Sequence, residues 1–66
     1  MLEDYVGAVK DYSESIRIYP NDPHVFYKRG IIKIHTSQKM EGCLDLATAN
    51  EMKYEPAREA IMKNCN

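Results

Sequence analysis

Two stretches of the chain, Ala8-Val9-Lys10-Asp11-Tyr12-Ser13-Glu14-Ser15 and Gly42-Cys43-Leu44-Asp45-Leu46-Ala47-Thr48-Ala49, carry one pattern at an offset of 34 residues. Ala8 maps onto Gly42, Asp11 onto Asp45, Tyr12 onto Leu46, Ser15 onto Ala49 and Ile18 onto Met52. A small residue meets a small one, a carboxylate meets a carboxylate, and a large apolar residue meets another. A period of this length on a small-x-x-x-large pattern marks stacked helical hairpins, each unable to bury its apolar face alone. Such stacks generally offer surfaces to other proteins rather than transform small molecules.

Working outward, Tyr5, Ala8, Val9, Tyr12, Ile16 and Tyr19 share one face at helical spacing, while Lys10, Asp11, Glu14 and Arg17 fill the other. The first helix therefore spans about 2–19 and stops where Pro20 biases its predecessor away from helical geometry. Asp22 is a good N-cap and Pro23 suits a first helical position, so a second helix is expected over 23–35. Its apolar residues (Val25, Phe26, Tyr27, Ile31, Ile32, Ile34) surround much of the axis, which suits a helix with neighbours on more than one side. Gly30 lies inside it at a cost of about 1 kcal/mol relative to alanine. Close approach of another helix is the expected compensation. The polar Thr36-Ser37-Gln38-Lys39 connection favours an antiparallel third helix over 39–52. Lys53-Tyr54-Glu55-Pro56 then punctuates before a short last helix over 56–64. No strand pattern occurs, so the expected fold is all-α with about four helices.

At this point the chain resembles the tetratricopeptide repeat family. Gly30 matches that family's helix-A glycine in Phe26-x-x-Arg29-Gly30, and Phe26 takes the large aromatic position. Gly42 and Ala8 take the small position of helix B, Leu46 and Tyr12 the bulky one, Ala49 and Ser15 the second small one, and Pro20 the terminal proline. The resemblance implies a short right-handed α-solenoid of antiparallel helix pairs. Residues 2–19 would be helix B of an incomplete repeat, 23–54 one full repeat, and 56–64 a capping helix. Arg29 stands where leucine is usual, Lys33 where tyrosine is usual, and Tyr54 where a second proline is usual. An unpaired buried charge is costly, so Arg29 is expected to pair with Asp45 or its equivalent Asp11, or else to send its head to water.

The resemblance also implies that helix A lines a concave groove, which would place His24, Tyr27, Lys28, Ile31, Ile34 and His35 on it. Tyr27, Ile31 and Ile34 fall at i, i+4 and i+7, an apolar stripe suited to an extended peptide or a partner helix, or equally to packing against an adjacent repeat. Some members of the family clamp the C-terminal carboxylate of heat-shock chaperones. Only His24 and Lys28 stand at positions that could correspond. On the first helix, Val9, Tyr12 and Ile16 form a face whose partner helix is missing, so self-association into a homo-oligomer is a second expectation.

Composition narrows the field. Nine basic against ten acidic residues in 66 give a net charge of -1, with no basic stripe for nucleic acid and no polybasic patch for a membrane surface. No stretch is apolar for long enough to cross a bilayer, and Met-Leu-Glu-Asp-Tyr lacks the order of a signal peptide. His24 and His35 are separated along one helix by about 16 Å, too far to share a metal. No metal-ligand spacing, phosphate-binding glycine loop or nucleophile–base pair can be argued, so neither an enzyme nor a cofactor is expected. The expected partner is a protein or peptide. Cys43 and Cys65 are equidistant from a pivot at Tyr54, so antiparallel packing of the last two helices makes them neighbours. Two reduced core thiols are the favoured reading, with a disulfide as the alternative. Two cysteines leave the compartment open.

Overall fold

The computed structural model describes residues 2–65, with side chains from 4 to 65. Four helices follow in order: α1 (Leu2–Ile18), α2 (Pro23–His35), α3 (Lys39–Glu51) and α4 (Glu55–Asn64). Among the described residues there is no strand. The expected boundaries hold to within a residue. Tyr19 falls just outside α1, though its N–H still donates to the Ser15 carbonyl at 2.7 Å. Met52 caps α3 rather than ending it, and α4 begins at Glu55, one residue early.

The punctuation has clear causes. At the start of α2 the Asp22 carboxylate accepts from the His24 N–H at 3.1 Å, and Pro23, with no N–H to satisfy, occupies the first turn. The far ends of α2 and α3 close in the same way. Ser37 (φ 67°) and Lys53 (φ 69°) adopt the left-handed conformation. That reversal lets the Gln38 N–H reach the Lys33 carbonyl at 2.8 Å and the Tyr54 N–H reach the Ala49 carbonyl at 3.2 Å. These are the six-to-one bonds of a Schellman ending, made here without the glycine that usually supplies it.

α2 is the hub, packing against α1, α3 and α4, while α3 packs against α4. This is why α2 is apolar around much of its circumference. The tightest contact is the α2–α3 crossing, where Gly30 and Gly42 face each other. A Cβ on Gly30 would lie 2.7 Å from the Gly42 carbonyl oxygen. A Cβ on Gly42 would lie 2.5 Å from the Gly30 oxygen and 2.7 Å from Ile34 Cγ1. Neither glycine needs an unusual φ. Both are small because a neighbouring backbone occupies the place of their side chain, which is the close approach expected from Gly30.

Leu46 and Ala49 are fully buried and form the core with Ala57 and Ala60 of α4. Phe26, Tyr27, Ile31, Ile34, Tyr54, Ile61 and Cys65 pack around them. Cys43 and Cys65 are neighbours as expected, but not as free thiols: they form a disulfide with Cα atoms 6.0 Å apart. The favoured reading of two reduced core thiols is thereby corrected. Both residues are half-buried, and the fold-back at Tyr54 brings them to bonding distance at the end of α4 rather than sealing each in apolar surroundings. The bond closes a span of 22 residues, a constraint worth about 3 kcal/mol through the entropy removed from the unfolded chain.

Candidate functional site

The surfaces available to a partner are fixed by a charged knot at the meeting of three helices. Arg29 of α2 grips Asp45 of α3 with two hydrogen bonds, Nε to Oδ2 and Nη2 to Oδ1, both 2.8 Å. Its remaining nitrogen Nη1 donates to Ser13 Oγ of α1 at 3.1 Å. The guanidinium carbon lies 5.7 Å from the centre of the Phe26 ring. Lys33 Nζ approaches Asp45 at 3.6 Å and Glu41 at 3.8 Å. The Arg29 and Asp45 side chains are only 17% and 9% exposed, so the pair is largely removed from water. The Arg29 pKa is pushed up by the hydrogen bonds to Asp45, against the opposing effect of burial. Of the two carboxylates at equivalent positions, Arg29 takes Asp45 and leaves Asp11 exposed.

On the other side of α2, Tyr27 and Ile31 face Pro56, Glu59, Ala60, Lys63 and Asn64 of α4 across a shallow groove of about 280 Å³. Pro56, Glu59, Ala60 and Lys63 fall at i, i+3, i+4 and i+7, one face of α4. That periodicity was legible in the sequence, but these residues were missed as groove candidates. Tyr54 closes the junction: its ring centre lies 5.3 Å from that of Tyr27, edge to face, and 4.6 Å from the His24 ring. Both spacings lie in the favourable range for aromatic pairs. His24 also sits 3.5 Å from Asp22 through Nδ1.

The six groove residues expected from sequence therefore divide. Tyr27 and Ile31 line the groove and are half-buried. His24, Lys28 and His35 are exposed. Ile34 is half-buried and presses on the crossing beside Gly42, a packing role. Val9, Tyr12 and Ile16 on α1 are each half-buried. Val9 also lines a larger, open groove of about 680 Å³ with Tyr5, Val6, Lys10, Ser13, Glu14, Arg17, Thr36 and Gln38. Tyr5 and Val6 there are exposed apolar residues beyond the expected set. Glu14 and Arg17 pair along its rim.

No group of three or more His, Cys, Asp or Glu side chains lies together to hold a metal among the described residues. No helix there is long and apolar enough to cross a membrane. Comparison with known proteins gave no match, whether to a family model, to curated proteins or to solved structures.

Proposed function

We propose that the chain is a non-enzymatic protein–protein interaction module of tetratricopeptide type, taking an extended peptide or partner helix between α2 and α4. The observation that carries this reading is the Tyr27–Ile31 pair, set opposite the 56/59/60/63 face of α4 in an open groove. Its floor is apolar and aromatic, and its rim carries Glu59 and Lys63, 3.6 Å apart. A partner residue bridging that rim exchanges one exposed ion pair for another, and the apolar floor supplies the affinity. His24 and Lys28, exposed on α2, orient the partner.

The test is a peptide-library selection on the disulfide-bonded protein, followed by titration of the recovered peptides. Alanine at Tyr27 together with Ile31 is expected to abolish binding while far-ultraviolet dichroism keeps its helical signature. Peptides that bind the double variant as tightly as the parent would overturn the reading.

A second reading is supported by α1, where exposed Tyr5 and Val6 adjoin the 680 Å³ groove. In that reading the chain is a structural end segment of a repeat array, self-associating through Val9, Tyr12 and Ile16. Sedimentation across a concentration range separates the two. A monomer persisting to low micromolar concentration contradicts obligate assembly.

A further inference from the structure

α3 shows how this sequence receives a helix. It offers Gly42 to the incoming backbone, buries Leu46 and Ala49, and holds an arginine with Asp45. The incoming helix supplies Phe26-x-x-Arg29-Gly30. α1 carries the same four positions at the same spacing: Ala8, Asp11, Tyr12 and Ser15. Their state differs. Ala8, Tyr12 and Ser15 are half-buried where their counterparts are buried, and Asp11 is exposed. Asp11 has no ion-pair partner among the described residues. Arg29, the arginine within the chain that answers this motif, is committed to Asp45 and Ser13.

We propose that this face of α1 is a seat for a partner helix of the same chemistry as α2, one bearing an aromatic residue three positions before an Arg-Gly pair. The arginine forms a two-pronged hydrogen bond with Asp11, as Arg29 does with Asp45. Ala8 stands where Gly42 does, and a methyl on Gly42 would meet the Gly30 carbonyl oxygen at 2.5 Å, so the incoming helix stands off by the width of that methyl and a residue without a side chain keeps the offset smallest. Tyr12 and Ser15 are covered as Leu46 and Ala49 are. Charge complementarity selects the occupant: a buried, unanswered carboxylate would penalise any helix without a cation at that position. The proposal rests on the repeat reading of the fold and not on the α2–α4 groove.

A 13-residue peptide with the sequence of residues 23–35 serves as the probe. A side-chain bridge between positions 24 and 28, both exposed in the fold, holds it helical. It is titrated into the disulfide-bonded, isotope-labelled protein and followed by amide chemical shifts. Saturable shifts are expected along residues 8–15. Asp11→Asn in the protein weakens binding about tenfold or more, as loss of a charged hydrogen-bonding partner does. The Arg29→Gln version of the peptide weakens it by the same factor, and the two changes together add nothing further. Asp11→Asn leaves the melting temperature of the free protein unchanged. Lys63→Glu, on the α2–α4 groove, leaves the peptide's affinity unchanged, which separates this surface from the other. Absence of binding at millimolar peptide, affinity indifferent to Asp11→Asn, or shifts centred on Tyr27 and Ile31 would each overturn the proposal. So would self-association of the protein that buries residues 8–15, which would give the face to a second copy.

Discussion

Replacing Gly42 with alanine sets two effects of known size against each other. Within a helix, alanine is favoured over glycine by about 1 kcal/mol. At this position the new methyl would sit 2.5 Å from the Gly30 carbonyl oxygen and 3.0 Å from the Ile34 backbone nitrogen. Both obstacles are main chain, so no flexible side-chain end can swing aside and the two helices must separate. Overpacking of this kind costs about 1–3 kcal/mol, and rigid backbone on the opposing side puts the cost near the upper figure. The net loss is about 2 kcal/mol, and for a domain of this size that lowers the melting temperature by about 10 °C. Gly7 is the internal control. It lies in α1 with nothing within 4 Å of its would-be Cβ, so Gly7→Ala gains the propensity term alone. It should raise the melting temperature by about 5 °C. Thermal denaturation of the two variants by circular dichroism therefore predicts opposite signs for one chemical change. A Gly42→Ala protein as stable as the parent, or more stable, would refute the close crossing. Gly30→Ala tests the same contact from the other side. Once one alanine has pushed the helices apart, the second should cost less, so the double variant should fall short of additivity.

The charged knot predicts an asymmetry. Asp45→Asn leaves Arg29 and Lys33 half-buried without their shared carboxylate and should cost about 3 kcal/mol in denaturant unfolding. Arg29→Leu leaves Lys33 beside Asp45 and should cost clearly less; the reverse order contradicts the arrangement. Ser37→Gly and Lys53→Gly, each relieving a left-handed residue, should stabilise by about 0.5–1 kcal/mol after glycine's own entropic cost, and loss of stability at both would count against the helix endings described. Reduction of the Cys43–Cys65 bond should lower stability by about 3 kcal/mol. Hydrogen exchange should then show α4 amides losing protection before those of α2 and α3, whereas uniform loss would mean that the staple does not act on α4.

The sequence carried much of this because the informative positions were local. On α3 the small-and-large pattern marked Gly42, Leu46 and Ala49 as facing a neighbouring helix, and a glycine inside a helix with no turn to serve pointed to backbone contact at Gly30. Arg29 in an apolar register called for either a carboxylate or a route to water, and Asp45 and Asp11 stood at suitable positions. Asp22-Pro23 signalled a helix start through capping chemistry that needs no tertiary context.

What was not legible depended on geometry between elements or on chemistry beyond spacing. Equal distances from Tyr54 made Cys43 and Cys65 neighbours, but proximity alone does not distinguish two thiols from a bond. The endings at Ser37 and Lys53 lacked the glycine by which such turns are read. The part of Tyr54, touching both His24 and Tyr27, arises from the angle between α3 and α4, which periodicity does not encode. On the groove, Tyr27 and Ile31 were readable as a stripe, whereas their counterparts on α4 became apparent only once that helix was seen to lie against α2.

The repeat reading and the seat proposed on α1 both build on one contact, the meeting of α2 and α3 through their glycines. Its most direct test is a nuclear Overhauser measurement on the disulfide-bonded protein in solution. Cross-peaks linking the α-protons of Gly30 with backbone protons of Gly42, and those of Gly42 with the backbone of Ile34, are predicted. A fully assigned spectrum in which neither glycine shows a contact outside its own helix would contradict the account.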